Sequence, residues 1–239
     1  MTTSLQLLVT SLLALAAPAA ALAQGQAQAQ AQFLPSPAQF DQLFPERIAF
    51  YSYEGFAEAV RQTPGFAARG SEQQKRQEMA AFLGQIAHES DQLKAQREYR
   101  RENWDHYCRR DDGIGCAPGQ QYYGRGPIQL SWNYQYKAAG DHLGLDLWAD
   151  PDRVARDSKV AWQTALWYWM TQPGVAPQSA HEAMWAGKGF GATTRAINGV
   201  IECDKGADPD TLRKLNRRID FYRRASTLLA VPLSEPLGC

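Results

Sequence analysis

Two carboxylic acids, Glu89 and Glu98, are the residues of this chain whose surroundings could move protons. Ser71 and Gln74 form a capping box ahead of EQQKRQEMAAFLGQIAHES, and on a helix starting there Met79, Phe82, Leu83 and Ile86 share one stripe. At about 100° per residue Glu89 falls on the edge of that stripe and His88 on the other side. A carboxyl group held against apolar side chains has its charged form disfavoured, so its pKa rises and it suits a general acid. The same periodicity also fits a solvated glutamate at a helix end. His88-Glu89 does not open a zinc-protease helix, because HESDQ lacks the second histidine.

Glu98 stands among Arg97, Arg100 and Arg101, with Glu102 close by. Such neighbours keep a carboxylate ionised and able to accept a proton, and two acids in opposed environments are what acid–base catalysis requires. On one continuous helix Glu89 and Glu98 would lie about 13 Å apart along the axis, on opposite faces. Cooperation therefore needs the helix to end between them, at the polar run Ser90-Asp91-Gln92. Read alone, the charged stretch is better explained as a solvated loop.

A third stretch, YYGRGPIQLSWNYQY at positions 122–136, alternates Gln129, Ser131, Asn133 and Gln135 with large apolar residues. Neutral hydrogen-bonding groups backed by rings complement an uncharged partner rich in hydroxyls and amides. Strict alternation is also the mark of a plain half-exposed strand, giving way to helix near Asn133.

The remaining chain must position these groups. Its length suits one domain with a sizeable core. Residues 1–23 are apolar, uncharged and end in Ala21 and Ala23, the pattern of an export signal, although the usual positive charge near Met1 is missing and a membrane anchor is the rival reading. The Gln/Ala-rich residues 24–32 read as a flexible lead-in, and the folded domain is expected from 33 to 239. Asp150-Pro151 and Asp208-Pro209 each place a capping acid before a proline at a first helical position. Leu212, Leu215, Ile219 and Tyr222 repeat at helical spacing, as do Trp162, Ala165, Leu166 and Trp169. The fold class is accordingly mainly α, with long ordered loops.

Basic and acidic residues balance at 25 each, so no long-range field draws in nucleic acid or anionic lipid. The four cysteines are expected to form disulfides, and proximity suggests Cys108 with Cys116 and Cys203 with Cys239. On chain entropy these loops contribute about 2.6 and about 3.8 kcal/mol. No metal cluster is recognisable, since there is no C-x-x-C pair and the four histidines are scattered.

The segments AFLGQIAHES, YYGRGPIQLSWNYQYKAAG, VAWQTALWYWM, GFGATTRAINGVIEC and RRIDFY, in this order, resemble the catalytic domain of the family 19 chitinases among the glycoside hydrolases, in their compact bacterial form. The resemblance runs from about Phe33 to Cys239. It implies a lysozyme-like, α+β but mainly helical domain with a deep cleft and a small β element, and a secreted, monomeric endochitinase that needs no cofactor. The substrate it implies is chitin or chitooligosaccharide, hydrolysed at β-1,4 linkages with inversion. By motif, Glu89 is the general acid and Glu98 the general base, with Glu102 a near rival. An inverting pair leaves room for a water, at roughly 6.5–9.5 Å between carboxyl groups. Gln129 and Ser131 are expected to face the cleft, Ser131 holding the attacking water. Tyr134 and Gln135 should meet the acetamido group, although the family commonly has asparagine at position 135. Asn198 matches a substrate-binding residue, and Glu202 with Arg218 a charged pair that organises the cleft. Where the family usually reads Thr-Gly-Gly after the acid, this chain has Ser90-Asp91-Gln92, and glycine tolerates dihedrals that Asp and Gln resist. The loop is therefore expected to follow another backbone path. A peptidoglycan-cleaving enzyme of similar architecture and a chitin-binding protein without turnover are the alternative functions.

Overall fold

The structure, a computed structural model, describes residues 31–111, 113–206 and 208–239, so the expected signal at 1–23 and the lead-in up to residue 30 lie outside the described residues. Gln32, at the end of that lead-in, is held in place. Its side-chain amide donates to the carbonyls of Val60, Thr63 and Phe66 at 2.9, 2.8 and 3.1 Å.

The described residues form α1 (Pro37–Leu43), α2 (Tyr53–Arg61), α3 (Glu72–Glu89), α4 (Asn133–Leu143), α5 (Ser158–Thr171), α6 (Ala180–Trp185), α7 (Gly189–Glu202) and α8 (Pro209–Leu228). Short 3₁₀ helices lie at Arg101–Tyr107 and Pro151–Ala155. Extended pairing among them amounts to two isolated antiparallel bridges, Arg97 with Arg125 and Arg125 with Leu130. The expected small β element is thus a clasp rather than a sheet. No helix of the described residues is long and apolar enough to cross a membrane.

Helix α3 is the axis of the molecule. It starts on the expected capping box, with the Gln74 amide donating to Ser71 Oγ and the Ser71 amide donating to Gln74 Oε1. The stripe of Met79, Phe82, Leu83 and Ile86 is buried, and so is every other residue from Met79 to Ala87. Helices α6, α7 and α8 cover the faces that a one-sided stripe would leave wet. Closest approach is to α8 at Gly84, where a Cβ would stand 2.8 Å from Tyr222 Cα. Helix α5 packs against α2, with Trp162, Ala165, Leu166 and Trp169 all inaccessible to solvent.

Two helix expectations need correction. Asp150 caps nothing with its side chain: Pro151 opens only a 3₁₀ turn, Asp150 pairs with Arg156 at 2.6 Å, and Asp157 caps α5 instead. On α8, Asp208 does cap, accepting the Thr211 amide at 2.8 Å, but the apolar repeat is rotated. Leu212 is 41% exposed, whereas Thr211, Arg218, Tyr222 and Ala225 face inward. The helix turns a charged residue into the core because buried carboxylates await it there.

Both expected disulfides form. Cys108–Cys116 closes the loop after the first 3₁₀ helix, and Cys203–Cys239 joins the end of α7 to the last residue.

Gly84→Ala gains helix propensity of about 1 kcal/mol, yet its methyl meets rigid backbone, an overpacking worth about 1–3 kcal/mol. The expected outcome is a Tm lowered by a few degrees in thermal unfolding followed by circular dichroism.

Candidate active site

Helix α3 ends where the chemistry begins. Glu89 is its last residue, and its side chain, 16% exposed, reaches a cleft of ≈ 1020 Å³. Burial pushes the Glu89 carboxyl above its ordinary value, opposed by the charge of Arg218. Arg218, on α8, is 1% exposed and holds Glu202 in a bidentate pair, Nε to Oε2 and Nη2 to Oε1 at 2.7 Å each. Its Nη1 donates to Gln85 Oε1 at 2.8 Å, and Nη2 lies 2.6 Å from Glu89 Oε1. Glu89 Oε1 is thus ion-paired with the edge of the guanidinium, less squarely aligned than Glu202, whose two oxygens both accept from Arg218. Glu202 is buried too, which by itself would raise its pKa. The Arg218 hydrogen bonds and charge, with the Asn198 amide donating at 2.6 Å, outweigh burial and hold it below the usual carboxylate range. One cation therefore serves two carboxylates unequally, Glu202 through both oxygens and Glu89 at its edge.

His88 is half-buried rather than turned to water. Burial, reinforced by the charges of Arg218 and Arg217, pushes its pKa down to about 2, so it stays neutral.

Glu98 enters the cleft from a different segment. Its backbone amide donates to Gly124 O at 2.8 Å, which fixes it beside the Arg97–Arg125 bridge. Oε1 accepts from Asn103 Nδ2 at 3.2 Å and from the Tyr107 hydroxyl at 3.1 Å. Oε2 has only a long contact, 3.5 Å, to the Gly124 amide. Both donors come from the 3₁₀ helix Arg101–Tyr107, which is itself held by Trp104 stacking on Tyr123 at 3.8 Å and donating to Glu98 O at 3.2 Å. Burial and the nearby Glu98 push the Tyr107 hydroxyl up to about 12, so it remains a donor. Glu102, on the same 3₁₀ helix, is exposed and does not line the cleft.

The 122–136 stretch is no strand. Positions 126–129 form a turn, Leu130 makes a single bridge, and α4 begins at Asn133. Gln129 and Trp132 have left-handed backbones, with φ of 52° and 75°, and the polar side chains reach the cleft through this folding-back rather than through alternation. Gln129, Ser131, Tyr134 and Gln135 all line it. Gln129 Nε2 donates to Gly126 O at 2.9 Å, and Ser131 Oγ donates to Gln129 O at 2.9 Å, which leaves the serine hydroxyl as an acceptor. Gln135 Oε1 is buried without a hydrogen-bond partner. Asn133 is the exception: its amide binds the backbone of Arg109 and Gly115 inside the disulfide-closed loop. Across the cleft Asn198 interrupts α7 with φ −142° and ψ 26°, which turns its side chain onto Glu202.

The loop between Glu89 and Glu98 corrects an expectation. Asp91, Gln92 and Leu93 adopt φ of 49°, 60° and 63°, the left-handed region that Asp and Gln were expected to avoid. Ser90 makes this path possible, since its hydroxyl donates to Ile86 O at 2.7 Å and accepts the Leu93 amide at 2.9 Å. Its carbonyl accepts from Lys94 and Ala95 at 3.0 and 2.8 Å.

Asn103, Tyr107 and Gln85 are site residues that the sequence does not single out. Tyr107 had one signal, its place next to Cys108 in a loop pinned close to Glu98. Gln85 had none, being one polar residue inside an apolar helix. Among the described residues no group of His, Cys, Asp and Glu is arranged to hold a metal ion.

Residues 39–239 match the sequence family of glycoside hydrolase family 19, chitinase class I. Endochitinase A2 of Pisum sativum is 37% identical over 212 residues, covering 80% of this chain but 64% of the pea protein, so the chain spans under two thirds of that relative. Among solved structures, chitinase C from Streptomyces griseus is 44% identical with a TM-score of 0.80, covering 85% of this chain and 79% of that one. A bacterial family 19 chitinase is 49% identical with a TM-score of 0.81, covering 87% of this chain and 100% of that one. With its helical, lysozyme-like fold and a match that extends from α1 to the last cysteine, the chain belongs to glycoside hydrolase family 19, the class I chitinases.

Proposed function

We propose that this chain is an exported endochitinase that hydrolyses β-1,4 linkages between N-acetylglucosamine units with inversion. The observation that carries the reading is the opposed state of two glutamates lining one cleft. Glu89 is desolvated, with a raised pKa, and can arrive protonated at a departing glycosidic oxygen. Glu98 has one oxygen engaged by Asn103 and Tyr107 and the other turned to the cleft as a proton acceptor. Ser131 stands ready to accept a hydrogen bond from the water that Glu98 deprotonates. Gln135 lines the cleft next to Tyr134, where its side-chain amide would meet the acetamido group, a role in which glutamine can stand for the more usual asparagine. Tyr134 and the exposed face of Trp132 supply apolar surface for sugar rings.

Charge disfavours the peptidoglycan alternative. The two cleft-lining arginines that might attract a muramyl carboxylate are already paired, Arg109 with Asp111 and Arg195 with Asp204. A neutral polymer needs no such attraction. Export rests on the apolar, uncharged residues 1–23, and we read 33–239 as one catalytic domain acting as a monomer.

Glu89→Gln and Glu98→Gln are each expected to lower turnover of chitohexaose by at least about 10²-fold while the circular dichroism spectrum is kept, and Glu102→Gln to be mild. Proton NMR of the first products should show the α-anomer. A β-anomer, or cleavage of peptidoglycan in place of chitohexaose, would overturn the reading. Binding of chitohexaose without products would point to the non-catalytic alternative.

Because Glu89 acts protonated and burial raises its pKa, kcat/KM should fall as pH rises through that elevated value. The basic limb should lie above the ordinary carboxyl value of 4.5. Glu202→Gln leaves Arg218 half-paired in the core, a change worth roughly 3–5 kcal/mol for a fully buried pair, and should lower Tm markedly in the same melt. It should also shift the basic limb down, since Arg218 then turns its full charge on Glu89.

A further inference from the structure

We propose that Asp91 is a positioning residue of the catalytic site, engaging Arg217 so that the pull of its charge on Glu89 is weakened and tying the end of the acid's helix to the segment that carries Glu98. The proposal rests on Glu89 being the general acid.

Asp91 lies where three parts of the site meet. Its Oδ1 accepts from Arg217 Nη2 at 2.7 Å, and Arg217 is the neighbour of Arg218 on α8. Its Oδ2 accepts the Tyr99 hydroxyl at 3.4 Å, and Tyr99 adjoins Glu98. Lys94 Nζ is 3.6 Å from the same oxygen and equally far from Glu46. The carboxylate thus bridges the end of α3, the middle of α8 and the start of the base-bearing segment.

The turn that ends α3 is what carries Asp91 to these contacts. Three consecutive non-glycine residues hold left-handed dihedrals here. Leu93 has a plain reason, since its side chain is fully buried in the core. The Gln92 amide donates to Ala87 O at 2.8 Å, closing the end of α3, and its side chain has a 3.4 Å contact with Arg224. Asp is among the residues that tolerate this region best, and at position 91 its charge meets a specific need.

That need is electrostatic. Glu89 faces Arg218 and Arg217 from α8, Glu202 from α7 and Tyr168 from α5, while His88 on its own helix is neutral. Of these groups the two arginines favour the ionised acid, and Arg217 does so from a side chain that is 41% exposed. Arg218 is already engaged by Glu202. Asp91 engages Arg217 through one partly exposed contact, a weaker counterpart of the buried Glu202–Arg218 pair, and so helps the general acid keep its proton to a higher pH.

The test uses Asp91→Asn, Asp91→Gly and Asp91→Glu in the full chain, with pH profiles of kcat/KM on chitohexaose and a thermal melt of each. Asp91→Asn and Asp91→Gly should move the basic limb to lower pH by about 0.5 unit, the scale of a partly exposed ion pair. Turnover above the limb should fall about 3-fold with KM little changed, and 1 M salt should shrink the difference. Asp91→Glu should keep the limb. The glycine variant separates charge from strain, because it relieves the dihedral while removing the carboxylate. A residue that only shaped the loop would leave its profile on that of the wild type, and that result overturns the proposal. Glu89→Gln is measured alongside. If it retains turnover, the acid assignment and the proposal fall together. If it is inactive and neither neutral variant moves the limb, only the role of Asp91 falls.

Discussion

The guanidinium of Arg218 is the interaction on which the cleft depends. A fully buried cation is costly unless hydrogen-bonded acceptors surround it, and here Glu202, Gln85 and Glu89 close around it on one side of α3. The pair with Glu202 is short, bidentate and dry, so it fixes α7 to α8 at the height of the cleft. Gln85 extends the connection into α3, where its amide also binds Thr193 and Thr194 of α7. Three helices are thereby registered by one buried polar cluster. Glu89 is held at its edge, close enough to be oriented, while burial raises its pKa against the pull of the guanidinium.

Much of this was legible in the sequence where local rules act alone. The capping box at Ser71 and the proline-led start at Pro209 depend on neighbouring residues only, and both formed as read. The cysteine pairing followed from proximity. That Glu89 would be desolvated came from its place on an apolar stripe, and the break before Glu98 from the polarity of residues 90–92.

What escaped notice depended on tertiary contact. The rotated face of α8 cannot be found from Leu212, Leu215 and Ile219, because the helix is turned by its buried arginine rather than by its leucines. Asp150 looked like a cap, but Arg156 competes for it and Asp157 is better placed. Alternation in 129–135 imitated a strand, since a turn with two left-handed residues can present the same side chains to one cavity. The left-handed path at Asp91 was the sharpest surprise. Intrinsic preference argued against it, and hydrogen bonds from Ser90 with ion pairs from Arg217 overrode that preference.

Glu89 and Glu98, the proposed acid and base, hang from unlike supports. One closes a helix buried at every residue from Met79 to Ala87, and the other leans on a 3₁₀ turn none of whose residues is buried. In a vice built this way one jaw is cast with the frame and the other rides on a bracket. Warming should loosen the bracket first, so that catalysis fades while the frame still reads as native, and a disulfide beside the bracket at Cys108 stands where it limits how far that jaw can swing.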